Sequence, residues 1–328
     1  MNVLSLFDGM SCGQIALREL GVSVDRYYAS EVDKHAIAQT MLNFPETIQL
    51  GDVRYVDARK LGKIDLLIGG SPCQSFSFVG NRAGMSTKEN EDVYTLERYM
   101  ELKRDGFEFE GQSYLFWEFV RILHELREVN PNVLFLLENV EMGKKWETVI
   151  SNAIGLHGVH IDSALVSAQS RKRIYWTNIR TFNDGLFGET FTDIPQPKDR
   201  GLFLRDVLEK EVSPKYHLSE RMISWLNRHA EKRDSGISVM SGDEKSHCIT
   251  STAIYKGNLT TDYVQVEVDG KSTLRKYTPL ECARLQTVPD WYKFGCSDTQ
   301  AYRMIGNGWT VEVIKHILSF MNDRKISG

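Results

Sequence analysis

The chain predicts an α/β fold, a doubly wound and mostly parallel sheet with a smaller domain attached. Three observations carry that expectation. Apolar runs alternate with helical segments over residues 1–180, as in "NVLSLF" before "GQIALREL" and "RYYASEVD" before "HAIAQTMLNF". Two runs, "KIDLLIGG" and "NVLFLLENV", are almost continuously apolar, as buried strands are. The alternation stops at about Thr181, and regular structure returns only in the tail.

In order, "NVLSLF" reads as a strand, "DGMSCG" as a turn, and "GQIALREL" as a helix turning Ile15, Ala16 and Leu20 to the core. "RYYASEVD" is a strand ending in acids, "HAIAQTMLNF" a helix, "TIQLGDV" a short strand with an acid at its end, and "KIDLLIGG" a buried strand. The polar, acid-rich "STKENEDVYTLERYMELKRDGFEFEG" is expected to be a solvated surface insertion, with Glu89, Glu91, Asp92, Glu97 and Glu101 facing solvent or protein. "SYLFWEFVRILHELREV" then lines Leu115, Phe116, Phe119, Ile122, Leu123 and Leu126 along one face of an amphipathic helix. "NVLFLLENV" follows as a strand, and "HIDSALVSA" with "KRIYWTNI" reads as a strand pair. The Gly-, Pro- and Asp-rich "FNDGLFGETFTDIPQPKDRG" suits a linker. Beyond it lies a small lobe with short strands such as "DYVQVEV". "TPLECARLQ" is a helix with Thr278 as N-cap and Glu281 at capping-box spacing, and "TVEVIKHILSFM" a terminal amphipathic helix. The expected division is therefore 1–180 plus 277–328 for the large domain and 181–276 for the small one.

At 328 residues and 41% hydrophobic, the chain has enough apolar surface for a full core. It offers no basic leader before an apolar segment and no run near the ~20 apolar residues of a membrane span, so a cytoplasmic protein is expected. Five cysteines, odd in number and without a C-x-x-C pair, argue against structural disulfides and against a metal site. A net charge of −4 leaves the partner open, because a cleft needs only a local basic surface to meet phosphates.

Ligands of open parallel sheets bind beyond the carboxyl ends of the strands, and here those positions share a character. Phe7, Asp8 and Gly9 follow the first strand, Glu31 the second, Asp52 the third, Pro72 and Cys73 the fourth, Glu138 and Asn139 the fifth. The first turn has neither G-x-G-x-x-G spacing nor a P-loop Lys, so a pyrophosphate is not its obvious guest. Glu31 on a ribose diol and Asp52 on an adenine amino group together describe a nucleoside. Singly, each carboxylate would pass for a surface or capping residue. Cys73 alone would pass for a small buried hydrophobe. Its neighbours argue otherwise: Gly69 and Gly70 allow close approach of a ligand, Pro72 restricts the entering chain, and Ser71 and Ser75 are polar where a core is apolar. Such a thiol needs a positive setting, and "QSRKR" offers one, with Arg171 and Arg173 on one face of a strand and Lys172 on the other. A solvated basic edge is the plain alternative for that stretch.

"SLFDGMSCG", "SPCQ", "ENV", "QSRKR", "RLQTVPDWY" and "IGNGWTVEVI" occur in the order and approximate spacing of the DNA cytosine-5 methyltransferases, and the chain resembles that family over nearly all its length outside the insertion and the small lobe. "SEVD", "EFVRILHELR" and the last-motif tryptophan are similar to the eukaryotic de novo methyltransferases, although the size fits a compact bacterial or phage enzyme. The resemblance implies a Rossmann-like S-adenosylmethionine-dependent methyltransferase domain with a target-recognition domain. It implies transfer of a methyl group to C5 of a cytosine extruded from double-stranded DNA, with Cys73 attacking C6, Glu138 on N3 and the exocyclic amine, Arg173 on O2 and Arg171 in support. Phe7, Asp8, Gly9, Glu31, Val32, Asp52, Pro72, Asn307, Gly308 and Trp309 would bind S-adenosylmethionine. Gln74, Ser75 and Ser77 fall in the family's loop that closes on DNA, and Thr250, Ser251, Thr252 and Lys256 are candidates for groove contacts. A monomer is expected, with or without a cognate restriction endonuclease as partner. Ser11 stands where the first motif usually has a second glycine, and Gly308-Trp309 replaces the common small-aliphatic pair. Two rivals stay open: a tRNA cytosine-5 methyltransferase, whose Cys-Phe-Thr element "CIT" nearly matches, and a catalytically idle DNA-binding relative.

Overall fold

The computed structural model describes residues 1–72, 92–107, 109, 111–185, 188–251, 258–268 and 270–321; Cys73, Gln74, Ser75, Ser77, Thr252 and Lys256 lie outside them. A seven-stranded sheet is built from β1 (Asn2–Leu6), β2 (Arg26–Ser30), β3 (Ile48–Gln49), β4 (Leu66–Gly70), β5 (Leu134–Val140), β6 (Val159–Asp162) and β7 (Lys172–Thr177), in the order β3-β2-β1-β4-β5-β7-β6. The pairs among β1 to β5 are parallel, and β7 runs antiparallel to both β5 and β6. The strand order reverses between β1 and β4. A crevice therefore opens at their carboxyl ends, where the first turn and the Ser71-Pro72 turn lie side by side.

The apolar runs are continuous because both faces of the sheet are covered. Leu66 and Ile68 face one core with α1 (Cys12–Glu19), while Leu67 faces the other with α4 (Phe116–Val129). The anticipated face of α4 is buried there, with Phe116, Phe119, Ile122, Leu123 and Leu126 fully inside. Two further helices, α2 (Lys34–Asn43) and α5 (Lys144–Ile154), complete the strand-helix alternation.

The insertion departs from the expected solvated excursion. It carries α3 (Leu96–Arg104), capped by Thr95, whose hydroxyl accepts from the Arg98 N–H at 3.2 Å. Val93, Tyr99 and Leu102 are buried, and the Tyr99 ring lies 5.1 Å from that of Phe109. Glu97 and Glu101 do face solvent, as expected; Glu89 and Glu91 are outside the described residues. The acids of the exposed face dominated the composition and masked the buried one.

The stretch read as a linker holds a hairpin of β8 (Thr181–Asp184) and β9 (Glu189–Thr192), in which Phe182 stacks on Phe191 at 5.1 Å. Gly185 and Gly188 lie between its strands, with Asp184 and Glu189 at the strand ends beside them. It is fastened to the large sheet, since the Thr177 N–H donates to the Thr192 hydroxyl at 3.1 Å. "HIDSALVSA" is strand only over β6, because Asp162 turns the chain by accepting from the Ala164 N–H at 2.9 Å.

Within the small lobe, α6 (Glu220–Lys232) was not legible, and it packs Leu226 with Leu218 and Tyr263 beside a sheet of β10 (Val239–Met240), β11 (Tyr263–Val268) and β12 (Lys271–Arg275). The tail returns as α7 (Pro279–Leu285), α8 (Asp298–Asn307) and α9 (Val311–Ser319). Thr278 and Glu281 form the expected capping box, with the Glu281 N–H donating to the Thr278 hydroxyl at 3.1 Å and the Thr278 N–H to Glu281 Oε2 at 2.8 Å. The buried Arg275–Glu281 pair, bidentate at 2.8 Å, joins β12 to α7.

Candidate active site

At the end of β1 the backbone turns sharply, with Phe7, Gly9 and Ser11 all at positive φ (58°, 56° and 64°). The conformation costs a side chain at Phe7 and Ser11, and neighbouring hydrogen bonds hold it. Phe7 N–H donates to the Ser30 carbonyl at 2.9 Å, and Ser11 N–H to that of Asp8 at 2.9 Å. Glu31 closes the turn from β2: Oε2 accepts from Gly9 N–H at 2.8 Å, and Oε1 from the N–H groups of Val32 and Asp33 at 2.7 and 2.9 Å. Beside it Val32 is 68% exposed.

Asp8 Oδ1 accepts from the Tyr27 hydroxyl at 2.9 Å, whereas Oδ2 is buried without a hydrogen-bond partner among the described residues. Burial pushes the Asp8 carboxyl up to about 6. Asp52 caps the turn after β3, accepting from the Arg54 N–H at 2.9 Å and from its guanidinium at 3.0 and 3.1 Å; those hydrogen bonds hold its carboxyl below the ordinary value. Ser11 and Cys12 lie inside, and burial pushes the Cys12 thiol up to about 12.

Glu138, at the end of β5, is 8% exposed and has donors on both oxygens. Arg173 Nε lies 3.0 Å from Oε1, and Trp309 Nε1 donates to Oε2 at 3.1 Å. Arg173 also donates to the Lys172 carbonyl at 2.7 Å. Asn139 fastens the neighbouring loop, its amide donating to the Ser71 hydroxyl at 3.0 Å. The backbone entering Pro72 and Cys73 is thus tied to the strand that carries Glu138.

The two glycines before Ser71 differ from expectation. A Cβ on Gly69 would lie 3.0 Å from the Phe119 ring, and one on Gly70 would lie 2.7 Å from Trp309 Nε1 and 2.9 Å from Glu138 Oε2. Both make room for protein side chains rather than for a ligand.

Arg171 and Arg173 do share a side, while Lys172 is exposed. Arg171 is buried and serves as a staple: Nη1 donates to the Ile249 carbonyl at 3.0 Å and lies 3.3 Å from Cys248 Sγ, and Nη2 donates to the carbonyls of Gly306 and Gly308 at 3.2 and 3.0 Å. Two glutamines escaped the sequence reading. Gln169 accepts from Ile249 N–H at 2.7 Å and donates to the Leu285 carbonyl at 3.1 Å. Gln286 donates to the carbonyls of Ile305 and Gly308 at 3.0 and 3.1 Å. Their place within two quoted motifs, "QSRKR" and "RLQTVPDWY", was the available signal.

Thr250 is exposed and Ser251 half-buried, and both pass over Gly306, where a Cβ would come within 2.4 Å of Ser251 N. Asn307 is exposed at the end of α8, and Gly308 packs against Cys12 Sγ. The structure therefore gathers Phe7, Asp8, Gly9, Glu31, Val32, Pro72, Glu138, Arg171, Arg173 and Trp309 around the carboxyl ends of the central strands.

A family described as C-5 cytosine-specific DNA methylase matches residues 1–322. The chain is 28% identical to the type II methyltransferase M.DsaV of Dactylococcopsis salina, over 98% of this chain and 86% of that protein. It is 26% identical to the type II methyltransferase M.NlaX of Neisseria lactamica, over 99% of each. The fold is also that of the S. pombe Dnmt2 methyltransferase, with a TM-score of 0.71 at 20% identity over 99% of both chains. With this match spanning the sheet, the paired Glu138 and Arg173 and the closing tail alike, the chain belongs to the C-5 cytosine-specific DNA methylase family.

Proposed function

We propose that this chain transfers a methyl group from S-adenosylmethionine to C5 of a cytosine turned out of duplex DNA, through a covalent bond between Cys73 and C6. The observation that supports it most is the Glu138–Arg173 pair, 3.0 Å apart and tied through Asn139 to the turn that enters Cys73. Cytosine C5 is a poor nucleophile until a group adds at C6. Cys73 thiolate forms the S–C6 bond and the 5,6 electron pair moves to C5. Glu138 accepts from the exocyclic amine and, with a proton shared between its carboxyl and N3, stabilises the charge that develops on the ring, while Arg173 holds O2. The C5 electron pair takes the methyl group, the donor would depart as its neutral thioether, and loss of the C5 proton to solvent with departure of the Cys73 thiolate restores the 5,6 double bond.

The turns after β1 and β2 fit the cofactor. Asp8 Oδ2 is a buried acceptor without a hydrogen-bond partner among the described residues, as a methionine ammonium requires, and Val32 offers an exposed apolar surface for adenine beside Glu31. Bound there, S-adenosylmethionine supplies an electrophilic methyl group. Phe7, Gly9, Pro72, Asn307, Gly308 and Trp309 surround it, and Asp52, whose two oxygens here accept from Arg54, would exchange one of those contacts for the adenine amino group.

We assign residues 181–276 to target recognition, with Thr250, Ser251, Thr252 and Lys256 toward the groove and Gln74, Ser75 and Ser77 in the loop closing on DNA. Residues 1–180 and 277–328 carry catalysis and cofactor binding. Among the described residues no helix is long and apolar enough to cross a membrane. Incubation with S-adenosylmethionine and duplex DNA containing 5-fluorocytosine tests the mechanism. Wild-type protein is expected to form a denaturation-resistant adduct and Cys73→Ala none. Absence of a wild-type adduct, or methyl transfer to tRNA alone, overturns the reading.

A further inference from the structure

Glu138 does not reach its place unaided. A carboxylate has about four acceptor directions, and two here are taken by N–H groups from opposite sides, Arg173 Nε on Oε1 at 3.0 Å and the Trp309 indole on Oε2 at 3.1 Å. With a donor on each oxygen the plane of the group is fixed, and each oxygen keeps one acceptor direction for the base. The indole is itself held from either side. Gly308 on one flank has its carbonyl bound by Arg171 and Gln286 at 3.0 and 3.1 Å, and Thr310 on the other donates its hydroxyl to Gln286 Oε1 at 2.8 Å.

The neighbouring strand supplies the space. Gly70 stands opposite Glu138 in the β4–β5 register. A Cβ there would lie 2.7 Å from the indole nitrogen and 2.9 Å from Glu138 Oε2, too close for either to stay. Glycine, tryptophan and carboxylate form one unit drawn from three separate parts of the chain.

We infer that Trp309 is a positioning residue for the base chemistry: its indole N–H orients Glu138 toward the cytosine, and Gly70 is the residue that admits it. The inference rests on the proposed reaction, in which Glu138 holds N3 and the exocyclic amine. Trp309 is thereby given a duty distinct from walling the cofactor site.

Trp309→Phe keeps an aromatic ring but removes the N–H together with the rest of the indole's five-membered ring. In methyl-transfer assays on duplex DNA it is expected to lower kcat about tenfold or more, as loss of a hydrogen bond to a charged group does, while KM for S-adenosylmethionine stays within about twofold. Gly70→Ala, which displaces the same contact from the other side, is expected to lower kcat in the same way and remains a test if Trp309→Phe fails to fold. The double variant should lose less than the product of the two single losses, because both act through one carboxylate. Unchanged kcat with a raised cofactor KM in Trp309→Phe, or fully multiplicative losses in the pair, overturns the inference. Wild-type protein without activity on DNA overturns the proposed function instead, before any variant is compared.

Discussion

Asp8 holds its charge against its surroundings. Tyr27 satisfies one oxygen, the other is buried without a hydrogen-bond partner among the described residues, and desolvation pushes the carboxyl up to about 6. In an unfolded chain the group titrates near 3.9. Between roughly pH 4 and pH 6 the folded state therefore binds more protons than the unfolded one, and stability falls as pH rises through that window. A displacement of about two units corresponds to roughly 2–3 kcal/mol above pH 6. Asp8→Asn keeps the shape and the acceptor for Tyr27 without the charge. Thermal melts are expected to show it several degrees more stable than wild type at pH 8, with the gap closing by pH 4; a gap independent of pH refutes the account. At this scale Glu138 stands out in the sequence because it ends an apolar strand, and Arg171 and Arg173 because a basic run opens one. The Trp309–Glu138 bond spans 171 positions and leaves no local trace.

Elements are legible where one physical pattern dominates. The strands β1, β4 and β5 read as apolar runs because helices cover both faces, and α4 reads from its buried stripe. By contrast, α3 and α6 bury only two side chains each among the described residues, so polar residues outweigh the apolar signal. For α3 the packing is partly ionic. Glu118 on α4 is fully buried and accepts from the Tyr99 hydroxyl at 2.5 Å, from Lys103 Nζ at 2.6 Å and from Arg121 Nε at 2.6 Å. Lys103 also donates to the Arg54 carbonyl at 3.3 Å, so the insertion braces the turn that carries Asp52. Removing the shared acceptor leaves Lys103 without a carboxylate partner and Arg121 with Glu125 as its one remaining carboxylate partner among the described residues, whereas removing one donor leaves both cations paired. In urea unfolding Glu118→Ala is expected to cost roughly 3–5 kcal/mol and Tyr99→Phe roughly 1–2 kcal/mol. Equal losses would show that the Tyr99 hydrogen bond carries the whole contribution of the Glu118 carboxylate and that its cations add nothing.

On the scale of the whole molecule, segments distant in sequence meet at one arginine. Arg171 is buried between the Cys248-Ile249 turn of the small lobe and the Gly306–Gly308 backbone of the tail, and Gly306 lets the lobe's Thr250-Ser251 backbone pass directly over α8. Burial lowers its guanidinium, and nearby Arg173 adds to that lowering, yet three carbonyls and a sulfur surround it. Arg173, two residues on, faces Glu138 instead. The motif "QSRKR" therefore divides its labour, one arginine joining the small lobe to the tail and the other pairing with Glu138, where the proposed reaction places the base. That division gives opposite signatures. Arg171→Leu leaves buried carbonyls without donors and is expected to cost roughly 3–5 kcal/mol in urea unfolding, with protease sensitivity rising between α6 and α7. Arg173→Leu leaves Glu138 with its Trp309 donor and removes the group that holds O2 in the proposed reaction, and is expected to lower kcat at least about a hundredfold while costing less stability than Arg171→Leu. Unfolding curves and methyl-transfer rates on the two variants decide between these roles. If Arg171→Leu proves fully stable but inactive, Arg171 belongs to the chemistry and the joint between the lobes must rest on Gln169, Gln286 and the Arg275–Glu281 pair.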